Sequence, residues 1–150
     1  MIREIETAVE NVFNYLVAQL PTYIAQVNAD ADDDVTIDVP LVFELNNVPN
    51  DSVATSFMLM DTGLAYSEFT FGFVQVDIEF AASIDFQTNS VPIGRTKVLR
   101  YTDAIQNIFR ADCSLGGNVV VSRLDKRTQQ VNQSYGWVDI YFTGTIQIVN

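Results

Sequence analysis

Apolar residues recur every three or four positions at the start of the chain, with charged residues between them. They are Ile2, Ile5, Val9, Val12, Phe13, Leu16, Val17 and Leu20. This spacing predicts an amphipathic helix that packs by one face. Pro21 has no backbone N–H to continue the helical hydrogen bonds, so the helix is predicted to end at Leu20.

Short extended segments are predicted beyond the acidic stretch that follows this helix. Pro40 separates two predicted strands, residues 35–38 and residues 41–45, because proline interrupts a strand ladder. Asparagine, proline and aspartate then dominate residues 46–51, which is the chemistry of a turn. A further strand is predicted over residues 53–60.

From Phe69 the apolar period becomes two, which is typical of a strand with one buried face. Phe69, Phe71 and Phe73 share one parity, and the apolar residues from Val74 onward share the other. One extra residue in a strand turns every later side chain to the opposite face. The pattern therefore predicts one long strand with a bulge near Gly72.

A second helix of about four turns is predicted from the spacing of Val98, Tyr101, Ile105, Ile108 and Phe109. A strand is predicted to restart at residues 119–123, followed by a long polar excursion over residues 125–134. The chain closes on a predicted strand in which two sets of residues alternate. The apolar set is Val138, Ile140, Phe142, Ile146 and Ile148, and the polar and amphipathic set is Tyr135, Trp137, Asp139, Tyr141 and Gln147.

The order of these elements predicts an α+β fold. We expect a mixed, mainly antiparallel sheet with the N-terminal helix and the second helix packed on one face. With 150 residues and no linker or repeat, the chain is predicted to be a single domain, residues 1–150.

Charge divides the chain into two parts. The net charge of −11 argues against general affinity for nucleic acids. Residues 1–94 hold fifteen acidic residues and one basic residue, for −14, whereas residues 95–150 hold four acidic and seven basic residues, for +3. If the two parts occupy different faces, one copy can dock head to tail on the next and close a ring. If instead they interleave in the fold, the split has no such consequence.

The sequence lacks the residues and motifs that common catalytic and cofactor sites require. The sequence has no histidine and no glycine-rich phosphate loop, so neither a histidine-based active site nor a cofactor is predicted. Cys113 is the only cysteine and is expected to be a small core side chain. Asp30, Asp32 and Asp34 have the spacing of the first calcium-loop ligands, but Val35 stands where the loop needs glycine, so no metal site is predicted. We expect no enzyme activity and no membrane segment.

Tyr135, Trp137 and Tyr141 share the parity opposite the aliphatic residues of the last strand. Tyr and Trp are enriched where proteins contact proteins. Two interpretations remain open: the rings lie exposed at an interface, or they lie beneath a helix in the core.

Three segments resemble the tail terminator proteins of long-tailed bacteriophages and the related small tail-completion domains. They are Gly-Phe-Val-Gln-Val-Asp-Ile at residues 72–78, Thr-Asp-Ala-Ile-Gln-Asn-Ile-Phe-Arg at residues 102–110 and Gly-Trp-Val-Asp-Ile at residues 136–140. The resemblance runs along the whole chain and is specific from about residue 67. These segments are packing motifs and carry no catalytic signature.

The resemblance implies a structural virion protein assembled in the host cytoplasm. Such a protein forms a hexameric ring at the head-proximal end of the tail tube, ends tube polymerisation and presents the surface that joins the head. Its expected partners are copies of itself, the tail tube protein and the head-completion or neck proteins, and DNA passes through its channel without specific binding.

Two sets of residues are candidates for this role. The subunit and partner interface set is Arg95, Lys97, Arg100, Arg123, Lys126, Arg127, Trp137 and Tyr141. The acidic loop or channel-lining set is Asp30, Asp32, Asp33 and Asp34, whose carboxylates would repel the phosphates of passing DNA. The competing interpretations are another neck component, such as a head-completion or adaptor protein, and a β-rich ligand-binding or carbohydrate-binding module in which Trp137 and Tyr141 stack on sugar rings.

Overall fold

The computed structural model describes residues 1–48, 54–70 and 72–149, and for residues 67–70 it describes the backbone only. Its elements in chain order are α1 (Ile2–Asp30), β1 (Val42–Leu45), β2 (Ser56–Thr70), β3 (Phe73–Gln87), α2 (Val91–Ala111), β4 (Val121–Val131) and β5 (Tyr135–Val149). The five strands form one sheet in the order β1-β2-β3-β5-β4. β1 runs parallel to β2, and every other neighbouring pair is antiparallel. The predicted α+β class with a mixed, mainly antiparallel sheet is confirmed.

The first helix is longer than predicted. α1 continues through Pro21, so the prediction that it ends at Leu20 is wrong. Proline removes one helical hydrogen bond, but Pro21 lies on the exposed face while Ile24 and Val27 extend the buried apolar stripe by two more turns. Burial of that stripe outweighs the lost bond. Neither this helix nor any other in the described ranges is long and apolar enough to span a membrane.

The segment after α1 is held by side chains and not by a strand ladder. The predicted strand at residues 35–38 is wrong. The Asn28 side chain donates to the carbonyl of Ile37 at 2.8 Å and accepts from its N–H at 2.9 Å. The Tyr101 hydroxyl does the same for Asp38, donating to its carbonyl at 2.8 Å and accepting from its N–H at 3.0 Å. These two side chains supply the hydrogen bonds that a neighbouring strand would have supplied.

Strand β1 agrees with the prediction, and β2 begins within a predicted strand but continues past residue 60 to Thr70. The predicted strand at residues 41–45 is observed as β1, and the predicted strand at residues 53–60 is observed from Ser56 onward as the start of β2. The predicted turn begins at Asn46, which has a positive φ of 55°. Residues 49–53 lie outside the described residues.

The predicted bulge near Gly72 is a reversal of the chain. Thr70 pairs with Phe73, so β2 and β3 form a hairpin, and Gly72 adopts the positive φ of 92° that favours glycine. Chain reversal produces the same change of parity that a bulge would produce. The register shifts that do occur in β2 fall earlier, between Asp61 and Gly63 and between Ser67 and Phe69.

The second helix is confirmed, but at 21 residues it is longer than the predicted four turns. The predicted polar excursion after it is wrong. Ser90 caps α2 by accepting from the Ile93 N–H at 3.3 Å. Residues 121–131 form β4, although the sequence predicted a loop from residue 125. β4 is the last strand of the sheet and its side chains are largely exposed on both faces, so it shows no apolar alternation to detect.

The core lies between the helices and one face of the sheet. The even-numbered residues of β3 and β5 are buried there, and at the centre Phe80 and Phe142 stack at 4.7 Å between ring centroids. Phe109 of α2 meets Phe142 edge-on at 4.8 Å. On the α1 side, Phe13 stacks on Phe57 of β2 at 6.3 Å. Both helices therefore pack on the same face, as predicted.

Replacing Tyr101 with Phe is expected to destabilise the fold by about 1–3 kcal/mol, because it leaves the N–H and carbonyl of Asp38 without their partner in a partly buried site. The free energy of unfolding in urea measures the cost. Tyr135→Phe is the matched control, since Tyr135 is 49% exposed and its variant should lie within about 0.5 kcal/mol of the parent. Equal effects of the two variants would contradict the anchoring role of Tyr101.

Candidate assembly interface

The face of the sheet opposite the helices is covered by no helix in the part of the chain that the structure describes. The odd-numbered residues of β3 and β5 point to it, and they form cross-strand pairs: Asp85 beside Trp137, Ser83 beside Asp139 and Ala81 beside Tyr141. We call this surface the open face. Its mixture of aromatic, small and acidic side chains differs from the apolar face beneath the helices.

Trp137 and Tyr141 lie on the open face, half-buried by their neighbours. The interpretation that they lie beneath a helix is therefore wrong. The ammonium group of Lys126 sits 4.8 Å from the centroid of the Tyr141 ring, a cation–π contact that joins β4 to β5. Two of the aromatic residues and one of the basic residues that the sequence singled out are thus brought together on one surface.

Two carboxylates crowd the same region of the open face. Partial burial raises the pKa of the Asp85 carboxyl above its usual value, and the charge of Asp139 on the neighbouring strand raises it further. Farther along the face, Asp77 and Asp125 accept hydrogen bonds from Thr145 and Thr143 at 2.6 and 2.7 Å. The open face therefore carries negative charge that is only partly balanced within the chain.

The outer strand β4 carries three of the predicted interface residues. Arg123 donates from its Nε to Asp125 at 2.8 Å, so its charge is balanced on the same strand. Lys126 and Arg127 are exposed and form no ion pair among the described residues. Arg127 lies on the helix side of the strand, where it donates to the Thr102 hydroxyl at 3.2 Å. The net charge of β4 is positive.

The three predicted interface residues on α2, Arg95, Lys97 and Arg100, lie in different environments. Arg95 is exposed, and Lys97 donates to the carbonyl of Gln87 at 3.2 Å. Arg100 turns to the acidic loop, where it donates to the Asp33 carboxylate and to the carbonyl of Val35. The hydrogen bond from Arg100 lowers the pKa of Asp33. At this point the acidic and basic parts of the chain interleave.

The acidic loop follows the end of α1 and is exposed, as the sequence predicted. Asp30 is the last residue of the helix, and Asp32 and Asp34 are exposed beyond it. Over residues 1–48, 54–70 and 72–149, no group of three or more potential metal-ligating side chains lies close enough to hold an ion. The prediction for Cys113 is wrong: its side chain is exposed in the turn after α2, and its carbonyl accepts from Ser122.

The opposite end of the sheet is acidic. Beside β1, a groove of about 380 Å³ is lined by Glu6 and Glu10 of α1 together with Leu45, Asn46 and Asp61. Both glutamates and Asp61 are exposed, and Asn46 holds Asp61 through hydrogen bonds to its backbone N–H and its carboxylate. Glu44 of β1 lies on the open-face side of the same edge.

The sequence analysis did not select Glu6, Glu10, Glu44 or Asp61, because they are spread over three elements. The sequence feature that points to this acidic edge is the difference in net charge between residues 1–94 and residues 95–150. The sheet order places β1, β2 and β3 of the acidic part on one side and β5 and β4 of the basic part on the other. Apart from the contact between Arg100 and Asp33, the charge split along the sequence becomes a charge split across the sheet.

Comparison with known proteins adds little to this picture. No family model and no curated protein matches the sequence. Among solved structures, the chain aligns with one from the virion of a native gene transfer agent (GTA) particle, with a TM-score of 0.47 and 10% sequence identity. The alignment covers 89% of this chain and 95% of the other. A likeness this loose carries no conclusion about function.

Replacing Asp85 with Asn is expected to stabilise the protein at neutral pH. A carboxyl whose pKa is raised by folding holds its proton more firmly in the folded state, so its effect on stability becomes unfavourable as the pH rises above about 4, the unfolded value. The gain should therefore shrink as the pH falls toward 3. Urea unfolding of both proteins between pH 3 and pH 7 measures it.

Glu79→Gln is the matched control, because it removes one negative charge from the same strand and the same face. If the stability difference between Asp85→Asn and the parent does not change with pH, the crowding of Asp85 and Asp139 is without energetic effect.

Proposed function

We propose that this protein is a structural virion protein, assembled in the host cytoplasm, that forms a hexameric ring at the head-proximal end of a phage tail tube. In this role it ends tube polymerisation and provides the surface to which the head is joined. The observation that carries the proposal is the pair of sheet edges: β1 with its acidic groove at one end and the basic strand β4 at the other. The sequence resemblance to tail terminator proteins supplies the position in the virion.

Opposite charges at opposite edges favour head-to-tail contact between copies. A contact between two different surfaces of the same chain leaves one free surface of each kind on every pair, so copies continue to add until a rotation closes the ring. The attraction between the edges also orients copies before they touch. A symmetric dimer would instead bring like charges together.

The remaining surfaces have roles in the same proposal. The open face with Trp137 and Tyr141 offers half-buried aromatic side chains to a tube or neck protein. The exposed residues Asp30, Asp32 and Asp34 would line or approach the channel, where carboxylates repel DNA and let it pass without binding. We propose assembly and not catalysis as the work of these surfaces.

The first test adds the purified protein to growing tubes of the tail tube protein from the same phage. We expect tubes to stop lengthening and to carry a ring at one end, as seen by negative-stain electron microscopy, and the free ring to have the mass of six chains. Tubes that grow unaffected, together with a ring that binds a head-completion protein, would select the rival assignment as another neck component. A chain that neither forms rings nor binds tubes would contradict the proposal.

The second test reverses the uncompensated charges of β4. The double variant Lys126→Glu, Arg127→Glu is expected to remain folded by circular dichroism but to lose ring formation, because both edges are then acidic. Raising the salt concentration to about 1 M should weaken assembly of the parent, since the screening length falls to about 3 Å.

The matched control is Arg3→Glu, Arg110→Glu, which changes the net charge equally but leaves β4 intact. It should form rings like the parent. Loss of rings in both double variants would show that total charge, and not the β4 edge, controls assembly.

A further inference from the structure

Cross-strand pairing connects the two edge strands of the sheet, β1 and β4, residue by residue. Leu45 pairs with Leu59, Leu59 with Ala82, Ala82 with Ile140, and Ile140 with Arg127. The same chain of partners connects each of the other β1 residues to one residue of β4: Glu44 to Thr128, Phe43 to Gln129 and Val42 to Gln130. Four continuous rows therefore cross the whole sheet, from one outer edge to the other.

We infer that β1 of one copy pairs with β4 of the next, so that the sheet continues from subunit to subunit around the ring. This inference rests on the self-assembly proposed above and identifies the strands that form the contact. It commits to a second copy of this chain as the partner. In the described part of the chain, no strand pairs with the outer side of either β1 or β4.

The strand directions suit this contact. β1 is parallel to β2, and three successive antiparallel pairings separate β2 from β4, so β1 and β4 run in opposite directions. A second copy placed beside the first in the same orientation therefore presents β4 antiparallel to β1. Antiparallel pairing is the more stable ladder per residue. No inversion of the second copy is needed, as a ring of identical contacts requires.

Continuing the rows brings complementary charges together on both faces. On the open face, Glu44 comes opposite Thr128 and diagonal to Lys126, within reach of its long side chain. On the helix face, Arg127 comes opposite Leu45, beside the groove that Glu10 and Asp61 line. Lys126 and Arg127, which have no ion-pair partner among the described residues of their own chain, would each face a carboxylate of the neighbour.

The same register covers an exposed apolar side chain. Leu41, which precedes β1, is 80% exposed in the single chain. Extending the antiparallel register by one residue places it opposite Val131, the apolar last residue of β4. A slip of one residue would turn every one of these side chains to the wrong face, which excludes that slip.

Engineered disulfides test the register directly. In a Cys113→Ser background, the double variant Glu44→Cys, Thr128→Cys should crosslink between copies, because directly opposed residues place their Cβ atoms within about 5.5 Å. Within one chain these positions are four strand spacings apart, roughly 19 Å, so no internal disulfide can form. After oxidation we expect denaturing, non-reducing gels to show most of the chain as covalent multimers up to the mass of the ring.

Three controls make the result specific. Glu44→Cys alone and Thr128→Cys alone should stay at the mass of one chain. In a head-to-tail contact, a residue of one copy never lies opposite the same residue of the next copy. Glu44→Cys, Gln129→Cys should also stay monomeric on the gel, since those side chains lie on opposite faces. The mass of the reduced variants in solution shows whether rings form at all.

Rings that assemble in solution without the Glu44 to Thr128 crosslink would overturn the edge pairing while leaving the proposed ring intact. Crosslinking of the Gln129 variant at the same level would also overturn it, because the register would be wrong. Chains that remain monomeric in solution would contradict both the pairing and the ring.

Discussion

The structure depends on the covering of one sheet face by two helices. The stacked rings of Phe80 and Phe142, with Phe109 set edge-on against them, join β3, β5 and α2 at the centre of that covered face. Because the helices bury one parity of the central strands, the opposite parity forms the open face. The two central strands, β3 and β5, have a strand partner on both sides, so the described backbone groups without a strand partner lie on β1, on β4 and on β2 beyond Leu59. The surfaces available for assembly follow from this arrangement.

Sequence patterns were reliable where burial was one-sided. The elements β3, β5 and α2 each have one solvent-exposed face and one buried face. This produces the alternation in the two strands and the helical spacing in α2, and the sequence predicts both correctly. The predictions failed where another interaction replaced that signal. Pro21 predicts a helix end because its local cost is visible in the sequence, whereas the burial of Ile24 and Val27 that offsets this cost depends on tertiary packing.

The candidate surface was predictable only in part. The charge difference between the two parts of the chain is visible in the sequence, and the sheet order converts it into a difference between two edges. The partners of individual charges were not visible. Arg100 was predicted as an interface residue, but it lies beside Asp33, because α2 crosses the segment that follows α1. Glu10 and Asp61 come together from a helix and a strand although they are 51 positions apart in the chain, a separation that no local pattern spans.

The register shift between Leu124 and Lys126 divides the outer edge of β4 into two pieces. The piece between this irregularity and the turn at residues 132–134 presents a regular row of backbone groups, and the four residues of β1 are short enough to match it. In the other piece, the Ser122 N–H already donates to the Cys113 carbonyl. Exposed strand edges invite indiscriminate addition of any extended peptide, and a long flat edge is a nucleus for fibrils. An edge interrupted in this way rejects long strands by geometry. The irregularity thus limits the regular part of the β4 edge to a length close to that of β1, which favours a short partner strand over a long extended peptide.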